Sequence, residues 1–487
     1  MDGWNRLDPR MIIVRPLNEL LGLLPLLFAL LFLGNVSFWR TMAGVGTVVL
    51  IILYGLLSWL TTKYRITDTQ VELHKGVVLR KRLSIPRDRI RTVDLTARLG
   101  HRLFGLSAVR VGTGKQEKTP GEGVVLDAVT AAEADRLRQV LLLRGPAPID
   151  AAHTAENPEG TPISALSNRW YRYAPLTLSG VISIGVAVGF LMNLANELEL
   201  SEIGAIRAVF GWFSRADVTI AVAVVAGVIL VLSVLFSLLT YLLQNHNYRL
   251  TRQDDGTLRV RRGLLTTRSV SVEEERLRGV ALHEPLLLRA GRGARLNAVT
   301  TGLGPQGSSS LLLPPAPRTE ADRVTADVLR VDVPPAMVHL PRHPVQARTR
   351  RLTRAVVPTL TLAAAFSALS SWAGWPNWPW ITALALVPIF VLIGLDRYRN
   401  LGTALTDRYL VTRAGSLNRR TVALQRTGII GWHITSSPFQ RRSGLVSITA
   451  VTAAGSSAYP IVDIGESDGL AIADTAVPHV LRPFLEH

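Results

Sequence analysis

Residues 43–76 read AGVGTVVLIILYGLLSWLTTKYRITDTQVELHKG. The stretch changes character at Thr61. As far as Leu60 it is apolar and uncharged, and a helix of that length rises far enough to cross most of a bilayer's ~30 Å hydrocarbon core. From Lys63 it turns into short alternating runs that end at Gly76, the pattern of half-buried strands closed by a turn. A membrane helix running straight into a small β domain sets the plan, and the rest of the chain repeats it.

Six windows are apolar enough to span: Leu17–Leu33, Ala43–Leu60, Ala174–Ala195, Val218–Leu243, Ala355–Ser371 and Trp378–Leu395. Their presence resolves a tension in composition, because 48% of the residues are hydrophobic while the net charge is +18. Apolar and basic residues are segregated along the chain. Arg6, Arg10 and Arg15 before the first window would suit a signal peptide, but no small-x-small cleavage site follows. Trp39, Trp59, Trp170, Trp212, Trp372, Trp375, Trp378 and Trp380 fall near window ends, where an indole settles at headgroup level. The run from Trp372 to Trp380 reads as a tight hairpin at one interface.

Basic residues set the orientation. Arg6, Arg10, Arg15, Lys63, Arg65, Arg169, Arg172, Arg249, Arg252, Arg348, Arg350, Arg351, Arg354, Arg397 and Arg399 lie on the side of the N-terminus, against Arg40, Arg207 and Arg215 opposite. The positive-inside rule places the N-terminus and the β domains in the cytoplasm, in the inner membrane of the cell. Residues 196–217, the longest outer loop, have the spacing of either a surface helix or an amphipathic loop.

Three glycines, Gly76, Gly263 and Gly415, align three copies without gaps for over thirty residues. Fourteen residues on stand Ile90, Leu277 and Ile429; thirty-three on stand Val109, Leu296 and Ile448. Basic residues recur at five (Lys81, Arg268, Arg420) and at twenty-six (Arg102, Arg289, Arg441). Copies one and two share Glu-Ala-Asp-Arg at Glu133–Arg136 and Glu320–Arg323. Short strands followed by one helix, opened in copy one by a Thr130–Glu133 capping box, predict a small antiparallel barrel with a C-terminal capping helix. In copy three the helix after Glu466 sits nearer the barrel and is broken by Pro478, so it is expected to be weak.

The expected fold is an α+β membrane protein with six transmembrane helices in three pairs, each pair followed by such a barrel. The expected divisions are helices 1–2 in 1–63, domain 1 in 64–145, a linker at 146–163, helices 3–4 in 164–246, domain 2 in 247–332, a linker at 333–347, helices 5–6 in 348–399 and domain 3 in 400–487.

Copy one carries Tyr64-Arg-Ile-Thr67-Asp68, Gly76-Val-Val, Ser84-Ile-Pro86, Ile90-Arg-Thr-Val93 and Arg102-Leu-Phe-Gly105-Leu. These residues resemble the bacterial pleckstrin-homology domain, also called the membrane-flanked domain, and the whole plan resembles the YdbT-like membrane proteins. The resemblance implies a barrel of two antiparallel sheets capped by a helix and no defined enzymatic activity. It also implies a smaller one-domain relative with two helices as a partner, with envelope stress or resistance to membrane-active compounds as the process. Copy two lacks the Leu-Phe-Gly, having Arg289-Ala-Gly291-Arg292-Gly293, and copy three lacks the Ile-Pro.

No catalytic constellation, cofactor site or metal site is expected. There is no cysteine, hence no disulfide or thiolate. His339 and His343 are four apart with Pro341 between them, which reads as exposed linker rather than a helical zinc face. Gly112-Thr-Gly114-Lys115 is similar to a phosphate loop but lacks its spacing, and reads as a hairpin turn. No charge lies well inside any window, which weighs against ion or proton transport; a lipid transporter or flippase using the six-helix bundle is the alternative function.

The candidate binding residues are Arg80, Lys81, Arg82, Arg102, Arg268, Arg289, Arg420 and Arg441. Beside an anionic leaflet they would dock on headgroups; equally they are a solvated face or one that pairs with protein, a partner or a second copy in a homo-oligomer. Nucleic acid is not expected, since the charges are dispersed and no aromatic strip accompanies them. The reading is a non-enzymatic membrane scaffold whose three domains bind protein partners or anionic lipid.

Overall fold

Four of the six apolar windows are long helices among the described residues. The computed structural model describes residues 3–17, 19, 38–76, 81–90, 92–112, 124–142, 160–177, 180, 184–185, 189, 211, 217–301 and 310–478. Within them Phe38–Thr61, Val218–Asn245, Val345–Ala373 and Trp378–Arg399 are helices long and apolar enough to cross a membrane. The windows Leu17–Leu33 and Ala174–Ala195, and the outer loop, lie mostly outside the described residues. In Val218–Asn245 the Asp217 carboxylate caps the first turn, accepting the Thr219 N–H at 2.7 Å. Its most apolar window is 0% buried in the protein, with Leu230, Val231 and Leu235 facing outward. So wide an apolar surface suits a lipid environment. The last two helices form a hairpin: Gly374 ends the first in the left-handed conformation (φ 67°), and Gly394 lets Leu352 and Ala355 approach the second.

The β strands fall into two compact units, Met1–Glu274 and Glu275–His487. In the first, β1 (Asn5–Arg6), β2 (Lys63–Ile66), β3 (Gln70–Lys75) and β4 (Lys81–Pro86) form one antiparallel sheet in that order. A second sheet holds β5 (Thr92–Ala97), β6 (Leu106–Gly112), β7 (Val124–Thr130), β8 (Thr161–Ala165), β9 (Arg249–Arg252), β10 (Thr257–Arg262) and β11 (Thr267–Glu273), ordered β7-β6-β5-β11-β10-β9-β8. Alternate residues point inward, so Val71, Leu73, Val93, Val109, Val111 and Leu126 meet in one core. Helix Ala131–Leu142 closes it with Leu137 and Leu141, and Thr130 Oγ1 accepts the Glu133 N–H at 3.3 Å, one of the two bonds of the expected capping box.

The second unit repeats this with β12 (Leu277–Pro285), β13 (Gly293–Thr300), β14 (Leu311–Pro317), β15 (Gly402–Leu405), β16 (Tyr409–Ala414) and β17 (Asn418–Gln425) in the order β14-β13-β12-β17-β16-β15. A last sheet contains β18 (Ile429–Thr435), β19 (Leu445–Thr452) and β20 (Ala458–Gly465). Its inward residues Ile448, Ala450 and Ile461 join Leu410, Val422 and Leu424 in a core. The three aligning glycines all have positive φ. At Gly263 and Gly415 an added Cβ would overlap the carbonyl oxygens of Thr266 and Asn418, so the turn admits only glycine.

Two expectations change. The sheets do not close copy by copy: two of the four are shared between consecutive copies, because strands left with an open edge pair across the repeat boundary. The third terminal helix, expected to be weak, is regular over Glu466–Ala476, 11 residues against 12 in each of the others. Pro478 stands beyond its end, and the small residues Gly469, Ala473 and Ala476 let it lie close on the sheet.

Candidate functional site at the joints between copies

In the first joint β5 of copy one pairs with β11 of copy two; in the second β12 of copy two pairs with β17 of copy three. Both use one register. The residue seventeen after a copy's glycine faces the residue eight after the next copy's glycine: Val93 faces Ser271, and Val280 faces Ala423. A one-residue slip would turn every inward side chain outward, so a repeated register marks a specified contact.

The recurring basic residues lie largely in these joints. Arg268 faces Thr96 in the first, and Arg420 faces His283 in the second while its guanidinium stacks on the Tyr459 ring at 5.2 Å. Arg102, on the short helix Leu99–Leu103, donates to the carbonyl of Leu264, the residue after copy two's glycine. Arg289, on Leu286–Ala290, donates to both oxygens of Asp396 at 3.1 and 3.0 Å, and Asp396 accepts from Ser416, the residue after copy three's glycine. The remaining candidates stand apart. Lys81 and Arg82 open β4 and are exposed, Arg441 is exposed and donates to Ser436 Oγ at 3.1 Å, and Arg80 lies outside the described residues. Within each unit the described candidates divide between the joint and positions away from it.

Beneath the second joint is an ion cluster that sequence reading missed. Glu284, 2% exposed, accepts from Arg419 of copy three at 2.7 and 2.9 Å and from Arg318 of copy two; Arg318 also donates to Asp322 at 2.9 Å. Burial works against the Glu284 charge, but hydrogen bonds from Arg419 and the Arg318 charge hold its pKa below the usual carboxylate range. Burial pushes Asp322 up, against the opposing pull of Arg318. Next to it His283 is held down to about 3 by burial and by Arg295 and Arg420. In the first joint the corresponding support is Arg138, 6% exposed, which donates to Ser271 Oγ at 3.4 Å and Gln253 Oε1 at 3.3 Å.

A second missed cluster ties copy three to its helix hairpin. Asp463 is fully buried at positive φ (57°) in the bulge of β20. It pairs with Arg351 at 2.6 Å and with Arg350, both in the first turns of Val345–Ala373, and accepts from Gln440 Nε2 at 2.9 Å. His343 corrects the expectation of an exposed linker. It is 6% exposed, its Nδ1–H points at the carbonyls of Val462 and Asp463 at 3.1 and 3.0 Å, and its Nε2 stands 3.3 Å from Thr403 Oγ1. Burial holds its pKa down to about 4. The sequence signal for each cluster is slight: Glu284 is the single acid of a strand that also carries Arg278 and His283, and Asp463 the single acid of an otherwise uncharged strand.

Strands β1 and β8 were also missed. Each precedes an apolar stretch of sequence and lies beside the strand that follows that stretch: Asn5 faces Tyr64, and Thr161 faces Arg252. The chain thus leaves each sheet for the apolar segments and returns to the adjoining position.

A family model described as Bacterial PH domain matches residues 20–144, 183–332 and 355–477. The chain is 21% identical over 473 residues to UPF0699 transmembrane protein YdbT of Bacillus subtilis (strain 168), and the alignment covers 92% of both chains. No solved structure matches the chain. Three family matches and the apolar helices between them make this chain a member of the bacterial PH domain family, a membrane protein with three copies of that domain.

Proposed function

We propose that this chain is a non-enzymatic membrane scaffold whose three PH-type copies act by protein contact on the cytoplasmic face. The observation that carries the reading is the joint: one strand-to-strand contact, built twice in one register, with the recurring basic residues at its rim. A domain that already binds its own kind through β pairing is suited to bind further chains so. Six spans in three pairs fit the return of β2 beside β1 and of β9 beside β8, since an even number of crossings brings the chain back to the side it left. The basic asymmetry supports the cytoplasmic side. The lack of a nucleophile–base or metal-ligand pattern in the sequence supports a non-enzymatic role.

Exposure of Lys81 and Arg82 favours a second reading, anionic lipid at copy one. Isolation of the intact chain from native membranes without detergent separates the two. Protein contact predicts another PH-type chain, a second copy or a one-domain relative, retained in fixed ratio through a high-salt wash. Retention of anionic lipid alone, lost in Lys81→Gln/Arg82→Gln, would replace the protein reading with the lipid one.

A further inference from the structure

Among the described residues one half of the joint is unused in copy three and the other half in copy one. Strand β18 occupies the place in copy three that β5 and β12 occupy in copies one and two, and among the described residues no strand pairs with its outer edge. Strand β4 occupies the place of β11 and β17, and its outer edge is likewise unpaired among the described residues. The free edge of β18 reads IIGWHIT, with no proline, lysine or arginine of the kind that blunts exposed edges. Ile430 and Ile434 on it are 65% and 41% exposed. Gly431 is equivalent to Gly279, sixteen after the aligning glycine, and both sit at a bulge. At Gly279 an added Cβ would overlap the carbonyl oxygen of Ala423 on the strand taken up from copy three. At Gly431 nothing lies within 4 Å. The space that the incoming strand fills in the second joint is open at β18 among the described residues.

We propose that β18 of one chain takes up β4 of a second copy of this chain, head to tail, in the register of the two internal joints. That register sets Trp432 opposite Ser84, His433 opposite Leu83 and Thr435 opposite Lys81. Lys81 then stands where Arg268 and Arg420 stand, and Arg441 where Arg102 and Arg289 stand. A second copy is the fitting occupant because one chain carries both complementary edges, and a contact between unlike faces propagates from chain to chain or closes into a ring. The inference rests on the protein-contact reading above and names the partner.

The chain has no cysteine, so introduced thiols report alone. Full-length Lys81→Cys and Thr435→Cys chains, carrying tags of different size, are co-expressed and their membranes mildly oxidised. Facing residues of an antiparallel pair lie about 4.5–5.5 Å apart at Cα, within disulfide reach. A mixed disulfide dimer is expected, with no dimer from either variant alone. Pairing Thr435→Cys with Ser84→Cys, three residues out of register and about 10 Å away, should crosslink at least tenfold more slowly. Gly431→Val should lower the mixed dimer at least tenfold without altering the folded chain's chromatographic profile. A mixed dimer no stronger than the out-of-register control overturns the proposal. So does a dimer from one single-cysteine variant, which marks symmetric pairing, or a link confined within one chain in the double variant. If the mixed dimer fails while another protein is still retained from native membranes, the scaffold reading stands and self-pairing does not.

Discussion

Glu284→Gln removes the one charge that two guanidiniums share beneath the second joint. Glu284 is 2% exposed and accepts from Arg419 at 2.7 and 2.9 Å as well as from Arg318. The amide keeps the volume and one acceptor oxygen but leaves the positive charge of Arg318 and Arg419 half-buried, with only Asp322 beside Arg318. Breaking one side of a buried ion pair typically costs about 3–5 kcal/mol. At about 1.36 kcal/mol per factor of ten, that is roughly two to four orders of magnitude in the opening equilibrium. Amide hydrogen exchange read on peptides covering β12 and β17 measures this opening directly. Protection there should fall by at least a hundredfold, while β5 and β11, which lack the cluster, keep theirs. Glu284→Gln combined with Arg419→Met should recover part of the loss, since the orphaned cation is then gone. A fall of less than tenfold, or an equal fall in both joints, would refute the claim that the ion cluster secures the second joint.

Asp463→Ala should cost about 3–5 kcal/mol of protection in β20, because Arg350 and Arg351 lose their buried partner; Asp463→Asn, which tolerates the positive φ, should cost less. His283 and His343 are neutral in the folded chain, held to about 3 and about 4, while the unfolded chain takes up protons below about 6.5. The unfolded state therefore binds more protons as pH falls. Thermal stability of the second unit should be full above about pH 6.5 and fall by up to about 1.4 kcal/mol per pH unit per histidine towards pH 4. His283→Gln/His343→Gln should flatten that slope, and an unchanged slope would exclude these two groups. For orientation, cysteines at Ser37, Ser201 and Asn377 should label with an impermeant reagent in intact cells while those at Ser84, Ser271 and Ser447 should not; labelling at Ser84→Cys would invert the topology.

The apolar helices were legible because Val218–Asn245 carries no charge over 28 residues, and lipid solubility is a property of composition alone. The repeat was legible because Gly263 and Gly415 occupy turns that exclude a Cβ, so position and residue type are locked together. What escaped depends on pairs far apart in sequence. Asn5–Arg6 is two polar residues until Tyr64 and Lys63 return beside it. Arg289 and Asp396 are 107 residues apart, and neither announces the other. The recurrence of Lys81, Arg268 and Arg420 was visible, but charge alone does not name what a side chain faces. Stacking of Arg420 on Tyr459 needs β17 and β20 brought together, and burial of Glu284 against Arg419 emerges only once β12 lies beside β17. Of the candidate set, Arg102 and Arg289 proved to reach the next copy, whereas Lys81, Arg82 and Arg441 lie in the first and last of the three copies, outside the two joints.

Disulfide trapping across both internal joints tests the shared sheets most directly. In the cysteine-free chain, Thr96→Cys with Arg268→Cys spans the first joint and His283→Cys with Arg420→Cys the second, at equivalent positions. Sheets that run through the repeat boundary predict rapid intrachain disulfides in both double variants, identified as linked peptides after proteolysis under non-reducing conditions. Peptides that remain unlinked in both, while each variant folds and stays in the membrane, would show that every copy closes its own sheets and would contradict the joint as the functional unit.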